Sequence, residues 1–189
     1  MKLRLTPLLA IAAALALPLS AQASIYQFNA LINSASEVPT NSSTANGAAT
    51  LFYNDKATAT PADDSFDFSM SVFGLTGPIT GAHIHAPAAV GVNAPVVVAL
   101  NVAPFVLLNS GSSLLIGGSD VATPYVSFLS QLQSGLTYVN VHSALFPGGE
   151  VRGQLFEVSV VPEPSSMVLL LAGLGFTGLL MTSRSRRQR

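Results

Sequence analysis

The chain is 189 residues long, contains no cysteine and no tryptophan, and has 49% hydrophobic but only 9% charged residues. The lack of cysteine excludes a disulfide framework and any thiolate metal site. Six of the eight basic residues lie near the termini, so residues 24–163 carry two bases against nine acids, a net charge of −7. This acidic body argues against nucleic acid as a partner, because phosphate binding needs clustered cations.

The amino terminus, residues 1–23, has the organisation of a secretory signal peptide. Basic residues precede an apolar run from Leu8 to Leu17, and Ala21-Gln22-Ala23 is a small-x-small cleavage site. We therefore predict export through the Sec machinery, cleavage by signal peptidase and a mature chain that begins at Ser24. The alternative is a transmembrane helix, for which the apolar run is short.

Alternation of apolar and polar residues dominates the middle of the chain, which predicts half-buried strands. The clearest case has Phe66, Phe68, Met70 and Val72 separated by aspartate and serine. The predicted strands are Tyr26–Ile32, Ala48–Asn54, Phe66–Val72, Ile79–His85, Pro95–Leu100, Leu136–His142 and Val151–Val158. Seven strands separated by turn residues favour an antiparallel β-sandwich or barrel.

One short helix is predicted after Thr123, which would be its N-cap, with Pro124 in the first turn and Gly135 just past the end. The predicted fold class is therefore all-β, an antiparallel β-sandwich with one short helix. Its topology would be Greek-key and immunoglobulin-like, or similar to superoxide dismutase. This β-domain occupies residues 24–160.

The three histidines and a group of polar residues on the last two predicted strands are the candidate site. His83 and His85 are two apart on one strand and so share a face, and His142 ends another strand. Asn140 shares the face of His142, and Glu150 shares the face of Arg152. No Gly-x-Ser-x-Gly segment is present, which argues against a serine hydrolase of that type.

Three interpretations of these residues remain open. The first is a structural polar cluster in which Asn140 and the histidines bond neighbouring backbone and Glu150, and Arg152 pairs with Glu150. The second is a zinc or copper site made of the three imidazoles, with an open position that would allow chemistry. The third is a polar face that binds a sugar or a protein. Asp63, Asp64 and Asp67 lack an EF-hand pattern and are interpreted as a solvated loop.

Several segments of the body resemble the CHRD domain, a module first described in chordin and found in many bacterial exported proteins. The matching segments are Phe28–Leu31, Ser36–Pro39, Gly81–His85, Asn93–Val97, Tyr138–Ser143 and Pro147–Leu155. The resemblance covers residues 26–158 and implies a β-sandwich without a known catalytic mechanism. Ala86 and Ala94 stand where the family usually has glycine.

The carboxyl terminus, residues 161–189, combines a short motif, an apolar run and a basic end. Pro162, Glu163 and Pro164 precede the apolar stretch Met167–Met181, about 22 Å long if helical. Four arginines follow: Arg184, Arg186, Arg187 and Arg189. This order resembles the PEP-CTERM sorting signal of Gram-negative bacteria. The resemblance implies transient insertion in the inner membrane and removal by an exosortase, and a retained tail anchor is the alternative.

Together these observations predict an exported binding or structural module of the cell surface or the extracellular matrix, associated with exopolysaccharide. The alternative is a zinc- or copper-binding domain with redox or hydrolytic activity at His83, His85 and His142. An enzyme is the less favoured of the two. The His-x-His strand is similar to that of copper–zinc superoxide dismutase, but that enzyme needs more histidines, an aspartate ligand and a disulfide, which this sequence cannot provide.

Overall fold

A computed structural model describes residues 23–158, which consist mostly of antiparallel strands. The strands are β1 (Ile25–Asn33), β2 (Asn46–Asn54), β3 (Ser65–Phe73), β4 (Ile79–His85), β5 (Val96–Ala99), β6 (Val106–Ser110), β7 (Ser113–Ala122), β8 (Tyr138–Ser143), β9 (Val151–Gln154) and β10 (Phe156–Glu157). One α-helix in this range, α1, spans Phe128–Gln133, and 3-10 turns occupy Ser34–Ser36 and Pro61–Asp63.

The predicted terminal segments lie outside the described residues for the most part. Residue Ala21 of the cleavage site and the sorting residues from Pro162 to Arg189 are not among the residues described. In the range from 23 to 158, no helix has the length and apolar character needed to cross a bilayer.

All ten strands belong to one hydrogen-bonded antiparallel sheet in the order β5-β4-β8-β9-β1-β2-β3-β7-β6, with β10 also paired to β1. The last two strands connect the half that contains β5, β4 and β8 with the half that begins at β1. The β9 strand pairs with β8, and beyond Leu155 the chain turns to pair Phe156 with Asn29 of β1. The prediction of an all-β antiparallel fold with one short helix is confirmed.

A single hydrophobic core lies between the two halves of the curled sheet. Alternate residues of β3, such as Phe66 and Met70, pack in the same cluster as Ile84 of β4 and Val139 and Val141 of β8. The opposite face of β3 carries Asp67 and Ser69, so the period of two seen in the sequence is the burial pattern of the strand. This packing fixes β4 and β8 side by side, which is where the histidines lie.

The start of the helix differs from the prediction. Thr123 is not the N-cap, because α1 begins at Phe128 and Ser127 occupies the cap position. The backbone N–H of Thr123 instead donates to Asp64 O at 3.1 Å, which extends the pairing of β3 with β7. The predicted end is confirmed, since Gly135 has φ +65° and closes the helix with hydrogen bonds from Gly135 N to Leu132 O and from Leu136 N to Gln131 O.

Candidate metal centre

The three histidines converge on one face of two neighbouring strands. His83 and His85 lie on β4, and the register pairs Gly81 of β4 with His142 of β8. The imidazole of His142 therefore lies beside that of His83, with ring centroids 5.0 Å apart, and the His83 and His85 centroids are 5.7 Å apart. The shared face of His83 and His85 follows from their spacing, whereas the β4–β8 register brings His142 to them.

A glycine makes the close approach of these rings possible. A Cβ atom at Gly81 would lie 2.8 Å from Cε1 of His83 and 3.6 Å from Cδ2 of His142. Any other residue at position 81 would therefore push the His83 ring away from its present place.

Backbone carbonyls fix the tautomers of two of the histidines. Nδ1 of His85 lies 2.9 Å from Ala94 O, and Nδ1 of His142 lies 2.9 Å from Pro147 O. A carbonyl oxygen only accepts, so each Nδ1 carries a proton, and in the neutral imidazole Nε2 then keeps its lone pair. Such a carbonyl partner is the usual way in which proteins orient an imidazole that binds a metal.

One nitrogen of each ring is buried without a hydrogen-bond partner among the described residues: Nδ1 of His83, Nε2 of His85 and Nε2 of His142. For His85 and His142 these are the nitrogens with the free lone pair. The potential ligand atoms of the three rings all lie within 4.8 Å of one another. Buried polar atoms normally have a hydrogen-bond partner, so three ring nitrogens without one in the same place indicate a ligand site.

The environment favours the neutral imidazole at His83 and His85. Burial lowers the pKa of His83 to about 4, and the neighbouring His142 and His85 rings act in the same direction. Burial also lowers the pKa of His85, against the hydrogen bond to Ala94. Neutral imidazole is the form that binds metals.

The geometry fits a first-row transition metal. A tetrahedral zinc ion with bonds of about 2 Å holds its nitrogens about 3.3 Å apart, so the rings need to close by about 1.5 Å at most. Among the described residues, these histidines are the one group of three or more metal-binding side chains close enough to share an ion. The donor set contains nitrogen only, which suits zinc or copper and does not suit calcium or magnesium.

The polar residues near the histidines form a different network from the one expected. The predicted pairing of Arg152 with Glu150 is wrong, because Arg152 forms a buried ion pair with Glu37 at 3.4 Å. Asn140 Nδ2 donates to the same Glu37 carboxylate. Burial raises the pKa of Glu37 more than the Arg152 guanidinium lowers it.

Glu150 has other partners because it lies in the turn before β9, where the alternation of a regular strand does not hold. Its Oε1 accepts from Ser43 Oγ at 2.8 Å and from both the backbone N and Oγ of Thr76 at 2.9 Å. Of the predicted polar cluster, Asn140 and Arg152 are therefore brought together at Glu37, and Glu150 belongs to a separate network. Glu37 was missed as a site residue, although it lies in a segment that carries the family resemblance.

The three aspartates interpreted as a solvated loop do not share one environment. Asp64 is buried and accepts from the hydroxyl of Tyr53 at 2.9 Å, whereas Asp67 accepts from Asp120 N at 2.8 Å. Asp63 and Asp67 are exposed, as predicted, and Asp63 accepts from Thr58 Oγ1. Asp64 therefore has a structural role at the edge of the core.

A curled antiparallel sheet with a histidine cluster on two neighbouring strands defines an all-β domain. A family model for the CHRD domain matches residues 28–155, and the chain therefore belongs to the CHRD family. A second model, for the PEP-CTERM protein-sorting motif, matches residues 160–187. No curated protein matches the chain. No solved structure matches it either.

These two matches set the cellular context of the domain. The PEP-CTERM motif makes the chain an exported protein of the cell envelope or surface that an exosortase processes. CHRD is not a known enzyme family.

Proposed function

We propose that this protein is a surface or extracellular-matrix module that binds one zinc or copper ion through His83, His85 and His142. The observation that carries the proposal is the convergence of three buried, unpaired imidazole nitrogens. A purely structural cluster would leave these nitrogens unsatisfied, at a cost of about 1–3 kcal/mol for each buried group. A bound metal ion satisfies all three at once.

Copper is expected to bind more tightly than zinc. Nitrogen donors bind the divalent first-row metals in an order that peaks at copper. The described residues offer no carboxylate to the cluster, since Glu37 is paired with Arg152 and Glu150 is bonded to Ser43 and Thr76. Three neutral imidazoles would therefore not offset the positive charge of the bound ion.

Binding, rather than turnover, is the proposed activity. The donor nitrogens are all buried, so a bound ion would lie beneath the surface of the sheet. Three protein ligands leave one position of a tetrahedral ion open, but no further metal-binding or acid–base side chain of the described residues joins the histidines. Together with membership of the CHRD family, this arrangement supports a module that holds a metal at the cell surface.

The proposed location is the exopolysaccharide-associated matrix, reached after transient passage through the inner membrane. The sorting motif begins at residue 160, and the last hydrogen-bonded strand ends at Glu157. Cleavage near Pro162–Pro164 would therefore remove the sorting segment and leave every described strand intact.

The metal proposal predicts a stoichiometric complex. The purified exported protein, dialysed separately against Cu(II) and Zn(II) and then against buffer, is expected to retain about one equivalent of metal by elemental analysis. A variant with His83→Gln, His85→Gln and His142→Gln is the control for adventitious binding and should retain almost none. Less than about 0.2 equivalents of either metal in the wild type would contradict the proposal.

The sorting proposal predicts that release depends on the terminal arginines. Replacing Arg184, Arg186, Arg187 and Arg189 with glutamine should leave the protein unprocessed in the envelope fraction, because these cations orient the segment in the membrane. Immunoblots of envelope and medium fractions measure the shift. The Lys56→Gln variant, which removes a basic residue of the body, is the matched control. Unchanged release of the arginine variant would count against exosortase processing through this tail.

A further inference from the structure

The loop between β4 and β5 is tied down by a buried arginine. Arg152 Nη1 donates to Val92 O at 3.2 Å, and Arg152 Nη2 donates to Asn93 Oδ1 at 2.5 Å. Asn93 Nδ2 in turn donates to Val38 O at 3.1 Å. Val92 and Asn93 are exposed, so these hydrogen bonds hold a surface loop to the interior.

The same loop determines the orientation of His85. The residue after Asn93 is Ala94, whose carbonyl accepts the Nδ1 proton of His85 at 2.9 Å. The backbone N–H of Ala94 donates to the hydroxyl of Tyr138 at 3.2 Å. The Tyr138 ring is stacked on the His85 imidazole, with centroids 4.7 Å apart and an interplanar angle of 3°.

Arg152 also contacts this stack directly. Its guanidinium carbon lies 4.0 Å from the centroid of the Tyr138 ring. Arg152 therefore acts on His85 by two routes, through the loop that supplies the carbonyl and through the ring that packs on the imidazole. The planar fork of an arginine can bond Glu37, Val92 and Asn93 at once, which a lysine cannot do.

The charges of this pair have no other evident use. Arg152 and Glu37 have side chains only 5% and 1% exposed, and burying such a pair gives little net stability compared with apolar residues. Glu37 is held in turn by Asn140, whose register partners are His83 on one side and Arg152 on the other. The pair is thus bonded to β8, one of the two strands that carry the histidines.

We infer that the buried Glu37–Arg152 ion pair positions His85 as a metal ligand, by fixing residues 92–94 and the Tyr138 ring around its imidazole. This inference rests on the proposed metal-binding function. Arg152 and Glu37 are positioning residues, because neither belongs to the group of side chains that could share the ion.

The test compares Arg152→Lys and Asn93→Ala with the wild-type exported protein. Both variants are expected to bind Cu(II) and Zn(II) about 10–100-fold more weakly, the usual effect of losing a group that orients a metal-binding histidine. Nitrogen-15 NMR of the metal-free protein should show that His85 loses its single Nδ1–H tautomer. The matched control is Asn101→Ala, because Asn101 is exposed at the other end of β5 and makes no side-chain hydrogen bond within residues 23–158.

The outcomes separate this inference from the proposed function. Wild-type affinity and an unchanged His85 tautomer in folded variants would overturn the inference. If Arg152→Lys fails to fold, Asn93→Ala decides, because Asn93 is exposed and its loss leaves the ion pair in place. If the wild type binds no metal, the proposed function fails, while the tautomer of His85 in the metal-free variants still tests the positioning role.

Discussion

Replacement of His142 with alanine is expected to lower the affinity for Cu(II) by more than about a hundredfold. Removing a group that merely orients a ligand costs about 10–100-fold, and this change removes one of three ligands. The two histidines that remain, His83 and His85, come from the same strand, so an ion bound by them would no longer bridge β4 and β8.

Competition titration with a chelator of known affinity measures this loss. Thr80→Ala is the matched control, since Thr80 is exposed on β4 next to Gly81 and its replacement should leave affinity unchanged. Circular dichroism should show that His142→Ala stays folded, because His142 is only half-buried. If the variant bound Cu(II) as tightly as the wild type, His142 would not be a ligand and the ion would bind at another site.

Replacement of Phe128 with alanine is expected to lower the free energy of unfolding by about 3–5 kcal/mol. Phe128 is fully buried and packs near the rings of Phe66, Tyr125 and Tyr53, at centroid distances of 5.7, 5.7 and 6.4 Å. The α1 helix has only six residues, too few for stability on its own, so its attachment to the sheet depends on this packing.

Equilibrium unfolding in urea gives the change in free energy. Val126→Ala is the control: Val126 is 64% exposed, and a surface change of this kind usually alters stability by less than about 0.5 kcal/mol. A loss of less than about 1 kcal/mol for Phe128→Ala would mean that the helix contributes little to the core.

A strand with clear alternation of apolar and polar residues, such as β3, was predictable from the sequence. The predicted strand Phe66–Val72 lies within β3, and the prediction of Ile79–His85 matches β4 at both ends. The hairpin of β6 and β7 was missed. In β7 the buried Leu114 and Ile116 flank Leu115, which is apolar but 46% exposed, so the period of two disappears.

The candidate site was predictable only as far as local spacing reaches. The common face of His83 and His85 follows from the pleat of one strand, and the predicted strand Leu136–His142 placed His142 on another. The ion pair of Arg152 with Glu37 was not predicted, because the two residues lie far apart in sequence and meet only through the β1–β9 contact at Asn33 and Arg152. The alternation along the last predicted strand favoured Glu150, the acid nearer in sequence, as the partner of Arg152. This prediction was wrong.

The place of β9 and β10 in the strand order has a consequence for biogenesis. Among the strands of residues 23–158, these two are the last to leave the ribosome. In the sheet, however, they lie between β8 and β1. The barrier to closing the sheet is therefore overcome only once nearly the whole polypeptide has been synthesised, and such distant pairings form slowly. Because closure of the sheet waits for these last strands, we expect the domain to complete its fold only after export.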